Sequence, residues 1–383
     1  MVVQRRAWGL LVGITATMGI VAVTVSLLLD LRMVDPEGFL GPAWVRLPAM
    51  VLGAFLLDVV PRSVWRARWR FGSVLQEARI LVRDHWTRER LVLLTVGLTC
   101  FYITYVSYRN LKNYLPDFYP RTQDSLLHRI DRWLFLGNEP ATILHAVFGE
   151  GWAAHFFAFV YLLYLPLAPL SLVVWLVWSR RIEHGYWYAT ANCLTWTLGT
   201  VSYYLIPSLG PAFQYVWLYE ELDVTGVTTL QQSLWDQRQD HRFPLSPFSE
   251  SIQSVAGFAS LHVALTLVIA LIAHFTVSSA LVRYAAWTFF ALTTVSTLYF
   301  GWHYVADDIG GAVIAVAAVW LGAWATGQKL DRSGRDRTGD RAGDRGQGAG
   351  RSGGGPDDGA GGGATGPGRS TGDAERDHLR ATA

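Results

Sequence analysis

What most constrains this chain is the length of its apolar runs. Eight of them fall at roughly 7–29, 46–60, 91–109, 153–178, 186–206, 258–278, 281–300 and 308–327. Most reach the ~20 residues that a helix needs to cross a hydrocarbon core, and in that solvent the backbone must satisfy its own hydrogen bonds. The second is short enough to be a re-entrant or interfacial segment. The expected fold is therefore all-α, a polytopic integral membrane bundle with about eight transmembrane helices, and a string of soluble domains is excluded. Many of the 17 Trp, among them Trp8, Trp44, Trp86, Trp152, Trp178 and Trp302, fall near run ends, where amphipathic rings favour the headgroup layer. The two cysteines, Cys100 and Cys193, both lie inside runs and read as packing residues, with no metal cluster or disulfide framework. Arg5 and Arg6 precede a first run too long for a typical signal-peptide core, so it is expected to stay as a signal-anchor helix.

Charge sets the orientation. The segment 61–90 carries Arg62, Arg66, Arg68, Arg70, Arg79, Arg83, Arg88 and Arg90, and basic loops remain in the cytoplasm. With eight spans, both termini are then cytoplasmic, and the loops 30–45, 110–152, 207–257 and 301–307 face outward. Residues 126–135 alternate apolar and charged side chains at helical spacing, predicting an amphipathic helix at the interface. The loop from Pro207 to Gly257 is expected to fold over the mouth of any external site. From 329 to 383 the chain turns to Gly, Arg and Asp, with 10 basic residues against 9 acidic ones. That composition predicts disorder and gives no reason to expect nucleic acid as a partner.

Two histidine motifs meet on the outer side: Ser260-Leu261-His262 at the start of the sixth run, and Gly301-Trp302-His303-Tyr304-Val305-Ala306-Asp307 before the eighth. A single His at a membrane interface is an ordinary snorkelling residue. Asp307, however, lies four residues after His303, on the same helical face, where it can orient the imidazole. Breaking a phosphate ester without a metal needs a nucleophile, an orienting group, a proton for the leaving oxygen and cations for the phosphoryl charge. His303, Asp307 and His262 fill the first three roles. Arg109, Lys112 and Arg242 are external cations near run ends, and Ser260 either donates to a phosphoryl oxygen or caps the sixth helix. Asp308 reads as a helix N-terminal charge, and Gly310 and Gly311 as positions of close helix packing.

These motifs resemble the type 2 phosphatidic acid phosphatase superfamily, and more closely its inositol phosphorylceramide synthase-like branch. Ala259-Ser260-Leu261-His262 is similar to the second motif, with Ala in place of the usual Pro, and His303 to Asp307 to the end of the third. The third-motif arginine is absent, its place being taken by Ser296-Thr297, and no intact first motif is present; Arg109, Lys112 and Arg242 are the nearest candidates. The motifs cover about 200–311, and the spacing of the runs, together with the segment holding Asp131, Gly137 and Pro140, extends the likeness to about 90–325. The resemblance implies a six-helix catalytic core within 91–328, preceded at 1–90 by two further helices and a basic cytoplasmic loop and followed by the 329–383 tail. It also implies a phosphohistidine at His303, with His262 as acid.

The expected protein is a multi-pass enzyme of the plasma membrane that acts without a cofactor on a phosphorylated lipid in the bilayer, by hydrolysis or by transfer to an alcohol, at the extracytoplasmic face. Two rival readings stand beside it. Two His and one Asp can hold zinc or iron in a metal-dependent membrane hydrolase, and a non-catalytic transporter or scaffold needs no such chemistry.

Overall fold

The computed structural model describes residues 2–36, 38, 42–118, 121–179, 181–240 and 257–330. The chain divides into two units, Met1–Asp331 and Arg332–Ala383, and the second, with most of the expected 329–383 tail, lies outside the described residues. Every regular element described is helical: α1 (Val2–Leu28), α2 (Ala43–Arg66), α3 (Phe71–His85), α4 (Arg88–Phe118), α5 (Asp124–Leu134), α6 (Pro140–Phe148), α7 (Trp152–Trp178), α8 (Ile182–Leu205), α9 (Pro211–Gln214), α10 (Gly226–Asp240), α11 (Leu261–Thr276), α12 (Ala280–Tyr299) and α13 (Val305–Thr326). Among the described residues, five helices are long and apolar enough to cross a membrane: Arg6–Leu28, Ala43–Arg66, Arg88–Pro116, Trp152–Trp178 and Val305–Thr326. The protein is a polytopic helical membrane protein.

Three further runs coincide with α8, α11 and α12, and the reason α8 is the least apolar lies in its position. It is the centre of the bundle, packed against α13, α4, α1, α7 and α11, and nearly every side chain from Gly185 to Trp196 is buried. A helix that faces protein need not match lipid, provided its polar groups are satisfied. Thr195, Thr197 and Thr200 each donate to the carbonyl four residues back, at 2.8–2.9 Å.

The short second run is the middle of a 24-residue helix. Its apolar count is cut by Asp58 and Arg62, yet Asp58 is fully buried. It accepts from Arg62 at 2.7 Å, Trp86 Nε1 at 2.9 Å and Trp178 Nε1 at 2.6 Å. Beside it Arg90 donates to the carbonyls of Leu176, Val177 and Ser179, closing the exposed carbonyl end of α7. This basic end of the bundle lies far from Tyr161, one of two α7 tyrosines that meet the histidine motifs. Fifteen residues separate Tyr161 from Leu176, about 22 Å along a helix.

Candidate active site

The two histidine motifs sit at neighbouring helix starts because backbone groups tie them together. The Ser260 amide donates to the Asp307 carbonyl at 2.9 Å, and Gly311 packs so closely on the Ser260 carbonyl that a Cβ there would collide with it. The approach to α11 is pinned by the end of α8: the Phe258 amide donates to Ser208 Oγ and the Ala259 amide to Ser202 Oγ, both at 2.8 Å. The loop carrying His303 turns at Gly301, whose φ is +63° and whose missing side chain leaves room for the Tyr219 ring. The Asp307 carboxylate reaches back to the Tyr304 amide at 2.9 Å and caps the first turn of α13.

In this frame His303 lies between two partners. Its Nδ1 is 3.5 Å from Asp307 Oδ2, and its Nε2 is 3.3 Å from His262 Nδ1. His303 is 4 % exposed and Asp307 fully buried. The contact between them is long for a hydrogen bond, as is common before substrate is bound. His303 thus stands between the other two groups, and the three do not converge on one point. Among the described residues no group of three or more His, Cys, Asp or Glu is placed to hold a metal ion.

His262 and His303 open onto a cavity of about 230 Å³ between α4, α7, α8 and α10. Arg109 and Lys112 line the same cavity. One turn apart on α4, they share the face that also presents Phe101, Tyr105 and Tyr108, spacing that keeps all five on one side. Lys112 Nζ stands 5.9 Å from the rings of both Tyr108 and Tyr203, a distance at which the ring faces attract a cation. No carboxylate pairs with it among the described residues. Arg109 donates to Tyr105 Oη at 3.3 Å. The rest of the wall is aromatic. Tyr161 stacks on Trp302 with centroids 5.2 Å apart, and Tyr161 and Tyr164 flank the His262 ring at 4.8 and 4.5 Å.

Ser260 is brought to the site differently. Fully buried behind the wall, it caps α11, accepting from the Val263 amide at 3.4 Å. Arg242 lies outside the described residues. Asp308 is buried one residue beyond Asp307 and accepts from Thr297 at 3.3 Å. Gly310, like Gly311, marks close packing, with Ala259 and Phe258 within 3.2 Å of a Cβ there.

The structure also places at the site two carboxylates to which the sequence reading gives no role there, although Asp131 belongs to the segment that extends the family likeness. Asp124 and Asp131, seven apart on α5, are both buried. Asp124 accepts from the amides of Leu209 and Gly210 at 2.9–3.1 Å and from Tyr304 Oη at 3.1 Å. Asp131 accepts from the Val305 amide at 3.0–3.1 Å. α5 is therefore a clamp on the His303 loop, with Trp133 and Leu134 exposed on its other side. Burial pushes the Asp131 carboxyl up to about 7, the Val305 amide opposing that rise and Asp307 adding to it. A signal was present in the sequence: Asp124, Leu127 and Asp131 fall on one stripe, placing two carboxylates on an apolar face.

The model of the PAP2 superfamily matches residues 125–321, more than half of the chain. The chain belongs to the PAP2 superfamily. Membership supports a phosphatase-type enzyme with a lipid-related function. The PAP2 match begins after Arg109 and Lys112, so the two cavity cations, with α1 to α4, lie outside it. No curated protein and no solved structure matches the chain.

Proposed function

We propose that this protein is a membrane phosphatase or phosphotransferase that attacks a phosphorylated lipid with His303, forming a phosphohistidine at the extracytoplasmic face. The observation that carries the reading is the shared cavity. In it a buried His–Asp pair aims its free nitrogen at a second His, beside two cations of which Lys112 has no carboxylate partner.

In the proposed cycle the Nε2 lone pair of His303 attacks phosphorus and the bond to the leaving oxygen breaks. His262 passes its proton to that oxygen. Asp307 holds the Nδ1 proton of His303 and stabilises the imidazolium as positive charge develops. Arg109 and Lys112 take up charge on the non-bridging oxygens in a site that excludes water. Trp302, which lines the same cavity, has a buried indole N–H with no partner among the described residues and adds a neutral donor. The phosphoryl group enters between the imidazoles. Near-attack geometry alone requires about 3–3.5 Å from nucleophile to phosphorus, so substrate must part rings whose facing nitrogens stand 3.3 Å apart. A second acceptor, deprotonated by His262, then attacks the phosphohistidine and restores His303. Water gives hydrolysis, and an alcohol gives transfer.

A lipid substrate is supported by the far wall of the cavity, made of Phe101, Leu165, Ala168 and Pro169 from two candidate membrane spans. The outward orientation is supported by the basic end of α2 and α3, which lies at the opposite end of α7. The test is incubation of the purified protein in detergent with a panel of phosphorylated lipids, with and without polyol acceptors, following free phosphate and new lipid products. Release of phosphate or formation of a new head-group ester, together with an acid-labile phosphoryl-enzyme, supports the reading. A purified, folded protein that turns over no member of the panel and traps no phosphoryl-enzyme overturns it.

A further inference from the structure

At the basic end, Trp65 and Arg66 end α2, and the four residues Ala67-Arg68-Trp69-Arg70 join it to α3. The turn is hydrogen-bonded, with the Ala67 amide donating to Ser63 at 2.9 Å and the Trp69 amide to Val64 at 3.2 Å. Helices that end this way use a left-handed residue, normally Gly or Asn. Here Arg68 and Trp69 occupy that region in succession, with φ of 48° and 62°. Bulky side chains adopt it only where the surroundings hold them there, and such strain marks functional positions. The result is that Ala67 alone is buried, while Trp65 is 78 % and Trp69 70 % exposed. Between the two rings lies a cleft of about 430 Å³ lined by Trp65, Arg66, Arg68 and Trp69.

Nothing in the described protein neutralises this cleft. Arg62, one turn back, is paired with Asp58 at 2.7 Å, but Arg66, Arg68 and Arg70 have no carboxylate within ion-pair distance among the described residues. The cleft begins at the last residue of a candidate membrane span, Ala43–Arg66, so its depth is that of the headgroups, where Trp rings settle. α3 exposes Leu75 and Ile80 beside Arg79 and Arg83, but Glu77 and Asp84 balance its two arginines, so the excess of positive charge lies in the turn. Guanidinium groups match a phosphate diester through paired N–H donors.

We propose that the Trp65–Arg70 turn is a binding site for an anionic phospholipid, its headgroup phosphate seated between Arg66 and Arg68 and the two indoles embedded beside it. The site is separate from the catalytic cavity, standing at the other end of the bundle and outside the family match. It gives the first three helices a task that the PAP2 core does not include.

The full-length protein in neutral detergent, offered equimolar phosphatidylglycerol and phosphatidylcholine and measured by native mass spectrometry, tests the site. Two arginines at a charged interface correspond to a preference of about tenfold or more for phosphatidylglycerol. Arg66→Gln/Arg68→Gln should abolish that preference and leave turnover in neutral detergent unchanged. Arg79→Gln/Arg83→Gln, which removes equal charge from α3, should keep most of it. Arg66→Lys/Arg68→Lys retains charge and should lose only a few-fold, and it decides the matter if the glutamine pair fails to run as a monodisperse species. Equal retention of phosphatidylcholine by the wild type, an equal loss from the α3 pair, or capture of inorganic phosphate instead of lipid would each overturn the proposal.

Discussion

The two ends of the bundle use the same materials to opposite effect. At the basic end, buried Asp58 accepts from one guanidinium and two indoles, and the carbonyl end of α7 is closed by Arg90. At the other end the buried groups are short of partners: His303 Nδ1, Asp307 Oδ1, Asp308 Oδ1 and Trp302 Nε1 have no hydrogen bond among the described residues. Buried polar atoms are normally paired, and each orphan calls for a cause. A network that has used up its donors and acceptors can only hold helices together. One with unused capacity can accept a substrate. Burial and charge do not separate scaffold from site; the difference is that at the basic end the orphan is one neutral hydroxyl, that of Ser179, whereas at the other end ionisable groups and an indole have atoms with no hydrogen-bond partner among the described residues.

The largest expected effect comes from removing the proposed nucleophile. His303→Ala should lower turnover by at least about 10⁴-fold and abolish the acid-labile phosphoryl-enzyme, with unchanged thermal unfolding in detergent. His262→Ala should lose about 10²–10⁴-fold and be partly rescued by a nitrophenyl phosphate, whose leaving group needs less proton donation. A chelator should change neither variant nor the wild type, and zinc-restored activity after chelation would move the site to the metal-dependent reading.

Next come the cations. Lys112→Ala and Arg109→Ala should each cost about 2–4 kcal/mol of transition-state stabilisation, read as kcat/KM. Unchanged kinetics in both would shift the phosphate-binding role to Arg242. The opposite end should respond in stability instead: Asp58→Ala strands the buried Trp86 indole N–H and the partly exposed one of Trp178, so stability should fall by about 1–3 kcal/mol, while kcat per folded molecule stays the same. A kcat loss in that variant would show that the scaffold network reaches the chemistry.

Asp131 sharpens the contrast through pH. Its carboxyl, raised from 3.8 to about 7, keeps in the folded protein a proton that the unfolded chain has released. Its contribution to stability therefore declines as pH rises from about 4 to 7 and is level above that. Asp131→Asn should flatten this part of the profile of Tm against pH, and because the amide oxygen still accepts from Val305, kcat should change little. The smallest effect is expected at the tail: truncation after residue 330 should leave activity and unfolding temperature unchanged, since the removed sequence has almost no large apolar residues to bury.

Much of this was legible in the sequence, for reasons that differ between residues. Long spans show because lipid solvates every face of a helix alike, and the His303–Asp307 relation shows because four residues make one helical turn. α2 was read too short because Asp58 and Arg62 look prohibitive in an apolar run until their partners, 28 and 120 residues away from Asp58 in Trp86 and Trp178, are known. The Lys112 cage was hidden for the same reason, since Tyr108 and Tyr203 come from different helices. α5 was legible as amphipathic, but a carboxylate at the edge of an apolar stripe reads as solvated unless a buried amide awaits it, and those amides lie at 209, 210 and 305.

That last separation bears on when the enzyme comes into being. Asp124 and Asp131 reach 180 and 174 residues forward to Tyr304 and Val305, and both contacts lie at the very start of the final helix. A growing chain that has already inserted seven spans has the cations, most of the aromatic wall and His262 in place, and Asp124 can already hold the Leu209 and Gly210 amides, but His303, Trp302 and the amide that Asp131 holds are still to come. Synthesis of the last span thus delivers the proposed nucleophile together with the rest of its clamp, so that under the proposed mechanism competence arrives as a final step of assembly.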